Sequence, residues 1–470
     1  MELEKESQAF VEPEFDSDIN GGYAWIILVC TFTLAVCSWG NNSGFAVYFA
    51  YYSENNLYRG ATAIDYAAIG GITFGVGIGT GPLINYSTRT LGTRGTLILG
   101  NICQFVSLFL TSFSSHNQIW QLYLTQGLLQ SFGLAFLGMP AFIILPHWFK
   151  NTGEKENYNI RNRMLTLSQG ITTAGTGVGG ILFNLGMQKL LETHGIRWAL
   201  RVESFISVFL ASIAIAFIRE KKSSIQDKNE FKAYDILILS FPPFWLIILF
   251  IVFSMFAYVV ILYTLADWTI SIGYSPYQGS IVAAMVSLGI TIGRPIMGIL
   301  ADKYGALTVS ATSLSISGIL SLAMWIPSRN YASALTLALL MGIFSGAMFV
   351  CIASINLTVL GYRIHRLSTL FGMLWVFLGT SSIISPIIGT ALQMRGPKNN
   401  QYLYCSIFVG CSFLISAIII IILRGYMLSV RQIESEAANA DLTDEQYFAI
   451  RPRWTFVVKN AFNYTTDYWL

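Results

Sequence analysis

The chain has 470 residues, of which 54% are hydrophobic and only 11% charged, with a mean hydropathy of +0.57. Soluble domains carry about 25% charged residues, so this composition leaves too little polar surface for a body dissolved in water and points to lipid as the solvent. The formal net charge of +3 is small and its basic residues are spread over short loops, which removes nucleic acid from the expected partners.

In chain order, residues 1–20 form an acidic N-terminal tail with Glu2, Glu4, Glu6, Glu12, Glu14, Asp16 and Asp18. It lacks a basic region followed by an apolar one, so no cleavable leader is expected and the first span serves as its own insertion signal. Apolar runs long enough to cross a bilayer follow at Tyr23–Phe45, Ala63–Tyr86, Thr96–Phe113, Ile119–Leu145, Met164–Met187 and Trp198–Ile218. After a charged stretch come Phe244–Ala266, Tyr277–Ala301, Thr308–Ile326, Ala332–Leu360, Leu370–Met394 and Tyr402–Leu423. The expected fold is an all-α membrane protein of twelve transmembrane helices in two pseudo-symmetric six-helix bundles. Its units are 21–218 and 244–423, joined by a cytosolic loop at 219–243 and followed by a cytosolic tail at 424–470, which reads as unstructured.

With both termini cytosolic, the inner loops hold 14 Lys and Arg residues against 7 outside, which is the expected sign. The plasma membrane and the vacuolar membrane are both compatible with this. All six cysteines fall in or beside apolar runs without metal-ligand spacing, so neither a disulfide nor a metal is expected. No cofactor motif is present. Glycines repeat every four residues at Gly71, Gly75 and Gly79, at Gly175 and Gly179, and at Gly289 and Gly293. Small residues at this spacing let helices approach closely, either as static packing or as faces that rock.

Arg294 is the one basic residue well inside an apolar span. An arginine at the bilayer centre costs about 2.5–3.5 kcal/mol, so it is expected to face a bundle interior as a solute contact or to satisfy backbone carbonyls there. Asn41, Asn42, Gln126, Gln130, Tyr258, Tyr263 and Asn356 are the other intramembrane polar groups, as solute contacts or as interhelical hydrogen bonders. Glu203, Arg201 and Asp267 are expected at the outer interface, with Glu203 and Arg201 as a pair. The sequons at Asn85, Asn356 and Asn463 are cytosolic or intramembrane in this topology, and the one at Asn41 lies within the first span. None is expected to carry glycan.

Gly298-Ile299-Leu300-Ala301-Asp302-Lys303-Tyr304-Gly305, at the end of the eighth span, resembles the G-x-L-a-D-r-x-G signature of the major facilitator superfamily. The matching loop of the first half keeps Gly81, Arg89, Gly92 and Arg94 but has no aspartate. Gly92 and Gly305 are 213 residues apart, as a duplicated half requires. The resemblance implies a gating role for this loop, with Asp302 at a helix end where it can meet basic groups or a helix N-terminus; an ordinary interfacial turn is the alternative. Gly21-Gly22-Tyr23-Ala24-Trp25 is similar to the D-G-G-[YWF]-[GA]-W motif that opens the monocarboxylate transporters, with Asn20 in place of the aspartate. Together with Trp39–Gly44, Ala50–Tyr52 and Ile292–Gly298, it resembles the fungal branch of that family over about Gly21 to Tyr426.

This resemblance implies alternating-access transport of a small organic solute, a carboxylate or another polar metabolite, with Arg294 on the solute and a proton as candidate co-substrate. Two departures weigh against a standard proton–lactate symporter. Ile290 stands where the animal carriers have an aspartate one turn before the arginine, and Ser43 where they have a lysine. A non-transporting nutrient sensor on the same fold is the alternative. An enzyme is not expected, because the four histidines sit in loops far apart in sequence.

Overall fold

The computed structural model describes residues 22–55, 57–58, 60–114, 118–149, 163–219, 235–361, 363, 366–397, 400–436 and 443–461. Gly21, the acidic tail, most of the central loop and Asn463 lie outside them. Among the described residues there are helices and turns but no strand. The first six long helices are α1 (Gly22–Asn55), α2 (63–91), α3 (93–111), α4 (119–148), α5 (Arg163–His194) and α6 (Ile196–Phe217). The second six are α7 (Pro242–Ser271), α8 (Pro276–Tyr304), α9 (Ala306–Trp325), α10 (Tyr331–Leu360), α11 (Leu367–Met394) and α12 (Leu403–Glu436). By length and composition, nine helices among the described residues can cross a membrane. The other three, α2, α4 and α5, carry glycine, threonine and glutamine on the faces they bury.

Large apolar side chains cover the outside of the helices as well as filling the core, unlike a soluble bundle, which keeps them inside. On α6, Phe205, Phe209, Ile213 and Phe217 are exposed, while Ala199, Glu203, Ser207 and Ala211 are buried. That face distribution is the one lipid demands, because hydrocarbon offers polar groups no hydrogen bonds.

The repeat inferred from sequence appears in the backbone. Gly92 (φ +73°) breaks the helical run between α2 and α3, and Gly305 (φ +87°) separates α8 from α9. Both positions need a left-handed conformation that glycine tolerates without a Cβ clash. The halves meet where α2 packs on α11 and α5 on α8, a pair of contacts related by the same repeat, and also where α1 meets α7. A Cβ on Gly75 would stand 2.4 Å from the Gly379 carbonyl oxygen, and one on Gly177 would stand 2.4 Å from that of Ser287. Of the three glycine repeats seen in sequence, Gly71 and Gly75 lie in this interface. Gly175 and Gly179 pack on α1 inside the first half, and Gly289 and Gly293 on α10 inside the second.

The described residues after Arg424, 425–436 and 443–461, are mostly helical, which corrects the unstructured tail read from sequence. After α12 ends, α13 (Asp444–Phe448) and α14 (Trp454–Ala461) turn back onto the second half. Asp444 accepts from Arg363 Nε at 2.7 Å and pairs with Arg366 Nη2 at 2.8 Å; Arg366 also pairs with Asp235. The Arg363 guanidinium lies 3.9 Å from the Tyr447 ring centre, and Tyr447 donates to Val359 O at 2.9 Å. A Cβ on Gly425 would meet Val457 O at 2.3 Å, so α14 lies directly on the α12 backbone. Polar composition suggested disorder, but the partners that order this segment lie some eighty residues earlier.

Burial works against the Asp444 carboxylate. Hydrogen bonds and charge from Arg363 and Arg366 outweigh that effect and hold it below its ordinary value of 3.8. A depressed carboxyl contributes stability above its unfolded value and loses it as pH falls through the folded one. At neutral pH, Asp444→Asn should speed tryptic cleavage after Arg453 and weaken tail docking by about 1.5–3 kcal/mol. The wild type should show the same loosening only below about pH 3.8.

Candidate functional site

Arg294 projects from α8 at the boundary between the halves and is 4% exposed. Its Nη1 donates to Thr173 O and Thr176 Oγ1 of α5, both at 2.7 Å, and its Nη2 donates to Tyr258 OH of α7 at 3.4 Å. The guanidinium carbon stands 5.2 Å from the Phe349 ring centre of α10, within cation–π range. Glycines make this position accessible: a Cβ on Gly170 would approach Arg294 O at 3.0 Å, and one on Gly346 would approach Arg294 Nε at 3.3 Å. Among the described residues no carboxylate reaches Arg294, and its Nε has no hydrogen-bond partner. One edge of the guanidinium satisfies a backbone carbonyl across the interface, as one of the two sequence readings expected, while Nε stays without a partner.

A second polar set lies on α1, where a π-turn at Val36–Gly40 precedes Asn41. A π-turn inserts one residue, rotates the next part of the helix about its axis and interrupts the regular ladder. Cys37 O is taken up by Gln104 Nε2 of α3 at 2.5 Å. Asn41 then faces the first half, donating to Ser207 Oγ of α6 and accepting from Gln130 Nε2 of α4, both at 3.2 Å. Asn42, the next residue, faces the second half and donates to Tyr263 OH of α7 at 3.3 Å. Tyr263 OH in turn donates to Gly70 O at 3.5 Å. The Asn42 Oδ1 and Gln130 Oε1 atoms are buried without a partner.

Gln126 lies in the second π-turn, Tyr123–Leu129 of α4. Its Oε1 accepts from Tyr52 OH at 3.0 Å and its backbone O accepts from Thr73 Oγ1 at 2.6 Å. Asn356 on α10 is fully buried with neither amide atom partnered. Ser43 is spent on Trp39 O at 3.2 Å, and Ile290 is buried in apolar packing. The structure thus brings Asn41 together with Gln130, Asn42 with Tyr263, and Arg294 with Tyr258. Gln126 belongs to a cluster of tyrosines within the first half.

The loop motif and the opening motif converge on the carboxyl end of α6. Arg94 Nη2 donates to Ala216 O at 2.8 Å, Tyr23 OH to Phe217 O at 2.7 Å, and Arg94 Nε to Ile218 O at 2.6 Å. Three successive orphan carbonyls of the helix end are thereby satisfied. Arg219 stacks on the Tyr23 ring at 4.6 Å, and Trp25 meets Phe149 edge-on at 6.0 Å. Gly22 is in the first turn of α1, and Arg89 is exposed on α2. A cleft of about 400 Å³ beside this cap is lined by Leu91, Gly92, Arg94 and Arg219. Asp302 is half-buried at the end of α8, Gly298 sits one turn earlier, and Lys303 Nζ is 5.1 Å from the Tyr304 ring.

Glu203 is an interior residue, which corrects the interfacial position expected from sequence. It is 1% exposed and accepts from Tyr48 OH of α1. Arg201 does not pair with it: its Nε donates to Ser112 Oγ at 3.1 Å and its guanidinium lies 4.6 Å from the Phe113 ring. The α6 periodicity carried the signal, because Ala199, Glu203, Ser207 and Ala211 fall four residues apart on one face. Asp267, expected at the interface, accepts from Gln393 Nε2 at 2.9 Å and from Tyr402 OH.

Known proteins share both the sequence and this arrangement of helices. The sequence profile of the Major Facilitator Superfamily matches residues 28–379 and 259–469. The chain is 38% identical to "Probable transporter MCH2" of Saccharomyces cerevisiae over 426 residues, covering 90% of this chain and 87% of that protein. It is 26% identical to "MFS transporter asaE" of Aspergillus flavus, covering 88% and 89%. A crystal structure of a D-xylose–proton symporter superposes with a TM-score of 0.62 at 14% identity, covering 85% of this chain and 97% of that one, a likeness of fold.

Arg94→Ala removes two of the three donors that close α6. The expected loss is about 2–4 kcal/mol of stability, seen as a lower Tm of the purified protein in detergent. Arg94→Lys, a single-point donor, should recover less than half of it.

Proposed function

The chain belongs to the Major Facilitator Superfamily, and on that premise we propose that it carries a small organic anion, with Arg294 as the group that binds it. It is an integral, multi-pass membrane transporter of a small solute, in a family of transporters rather than enzymes. The observation that carries the anion reading is a buried guanidinium at the boundary of the two halves with no carboxylate in reach among the described residues. A buried cation without an anion is costly, and the forked guanidinium suits a carboxylate. The unpartnered Arg294 Nε, Asn42 Oδ1 and Asn356 amide are polar atoms that a solute would satisfy; Tyr263 holds Asn42, while Asn41 and Gln126, set within the first half, are the more distant candidates.

The opening motif at Gly22–Trp25, the Ile292–Gly298 segment and the likeness to a probable transporter of yeast support a place in the monocarboxylate porter branch. Ser43 and Ile290 favour a more polar or larger anion than lactate. In this reading the units 21–218 and 244–423 rock about the solute with both termini cytosolic, the orientation that the loop charges favour. Gly298, Asp302, Lys303 and Gly305, with Arg89, Gly92 and Arg94, form the loops that gate it.

The test is uptake into lipid vesicles holding the purified protein, offered a panel of labelled mono- and dicarboxylates and neutral polyols. Saturable uptake of a carboxylate is expected. Arg294→Ala should reduce it by at least about thirtyfold, since truncating one partner of a buried charge pair costs about 2–5 kcal/mol, while Arg294→Lys retains part. Uptake of a neutral polyol that Arg294→Ala leaves intact would overturn the anion reading, and binding without any flux would favour the sensor. In the same assay Asp302→Asn should change the maximal rate more than the KM.

A further inference from the structure

The first half contains a second uncompensated charge-bearing group that the solute-binding reading does not use. We propose that Glu203 is a proton-binding site and the residue through which the proton that the family resemblance implies as co-substrate passes. The proposal rests on the transport reading above and assigns that proton to a residue.

Glu203, the eighth of the 22 residues of α6, is buried on the face that packs against α1, α3 and α5. None of these elements brings it a compensating charge. From α1 it faces the phenols of Tyr48, which donates to it, and of Tyr52, stacked on Tyr48 with centroids 6.4 Å apart; Glu54 of the same helix is exposed. From α3 the titratable groups are Cys103 and Arg94, and Arg94 is committed to the carbonyls at the far end of α6. From α5 they are Lys189, Glu192 and His194, all exposed near its end. On α6 itself Arg197 is exposed and Arg201 turns away to Ser112 and Phe113. No Lys, Arg or His of the described residues is within ion-pair distance of the carboxyl.

An isolated carboxylate in a low-dielectric interior carries a penalty of several kcal/mol even after relaxation. Binding a proton removes that penalty: a carboxylate oxygen forms an O–H bond with a proton from water on one side, and the same bond breaks when water on the other side receives the proton. The protein returns unchanged, so the step balances. The site is also wired to the boundary between the halves. One turn from Glu203, Ser207 accepts from Asn41, and the next residue of α1, Asn42, donates to Tyr263 in the other half. Movement of α1 that opens the first half to water therefore alters the cover over Glu203 and the contact with α7 together.

The deciding experiment needs no solute. Infrared difference spectra of the purified protein in lipid, taken across a pH change, should contain the carbonyl stretch of a protonated carboxylic acid. The band should vanish in Glu203→Gln, persist in Glu54→Gln, and move to higher frequency in Tyr48→Phe as the carboxyl loses its donor. An unchanged band in Glu203→Gln overturns the proposal. Glu203→Asp, which keeps the group, guards against a folding defect in the glutamine variant and should retain a shifted band. In vesicles loaded with a pH-sensitive dye and given the carboxylate panel, the wild type should acidify its lumen. Glu203→Gln should still exchange labelled carboxylate but lose acidification by at least tenfold; acidification at the wild-type rate overturns the co-substrate role. If the panel does not move at all while the infrared band depends on Glu203, the anion reading fails and the proton site stands.

Discussion

Hydrocarbon offers nothing to a polar atom, so each donor and acceptor inside these bundles has to be met by another part of the protein. That single demand explains most of the specific contacts. The last three carbonyls of α6 draw in Arg94 and Tyr23. Two of the three π-turns among the described residues, those on α1 and α4, leave carbonyls that Gln104, Thr73 and Ser107 take up. Once these pairings are complete, two ionisable side chains remain deep in the structure without an opposite charge among the described residues. Arg294 lies at the boundary of the halves and Glu203 within the first. The demand thus separates polar residues that serve architecture from those left over for chemistry.

The same demand sets what could be read in the sequence. Length and hydropathy were enough for the helix count and the division into two sixes, because lipid thickness imposes a length on each span. Gly92 and Gly305 were legible from their spacing and adopt the backbone conformation that glycine alone takes easily. Arg294 was legible because a charge in an apolar run is conspicuous. Glu203 was not, because Arg201 two residues earlier offered it a pairing at the outer interface; the four-residue rhythm of small and polar positions on α6 was the better guide.

The π-turns had no local signature, since the extra residue is accommodated by neighbours on other helices. The folded tail was hidden for a related reason. Its composition is polar, and what orders it is Arg363 and Arg366, brought near by the fold and far away in the chain. Pairing at long sequence separation is invisible to any window moved along the sequence. The opening motif and the loop motif were recognisable as strings, but only the fold reveals that Tyr23 and Arg94 close the same helix end.

At two points the interface between the halves brings main chain directly against main chain. At Gly75 against Gly379, and at Gly177 against Ser287, carbonyl oxygens lie against α-carbons with no branch between them. Interlocked side chains would have to unseat and find new rotamers whenever one surface moved past the other. A smooth track of peptide groups has few such teeth, and weak Cα–H···O contacts, each worth about 0.5–1 kcal/mol, can be exchanged one at a time for the next along. For halves that rock about a solute as proposed above, such side-chain-free lines lower the friction of the joint, and a single added methyl group there would act as grit in the bearing.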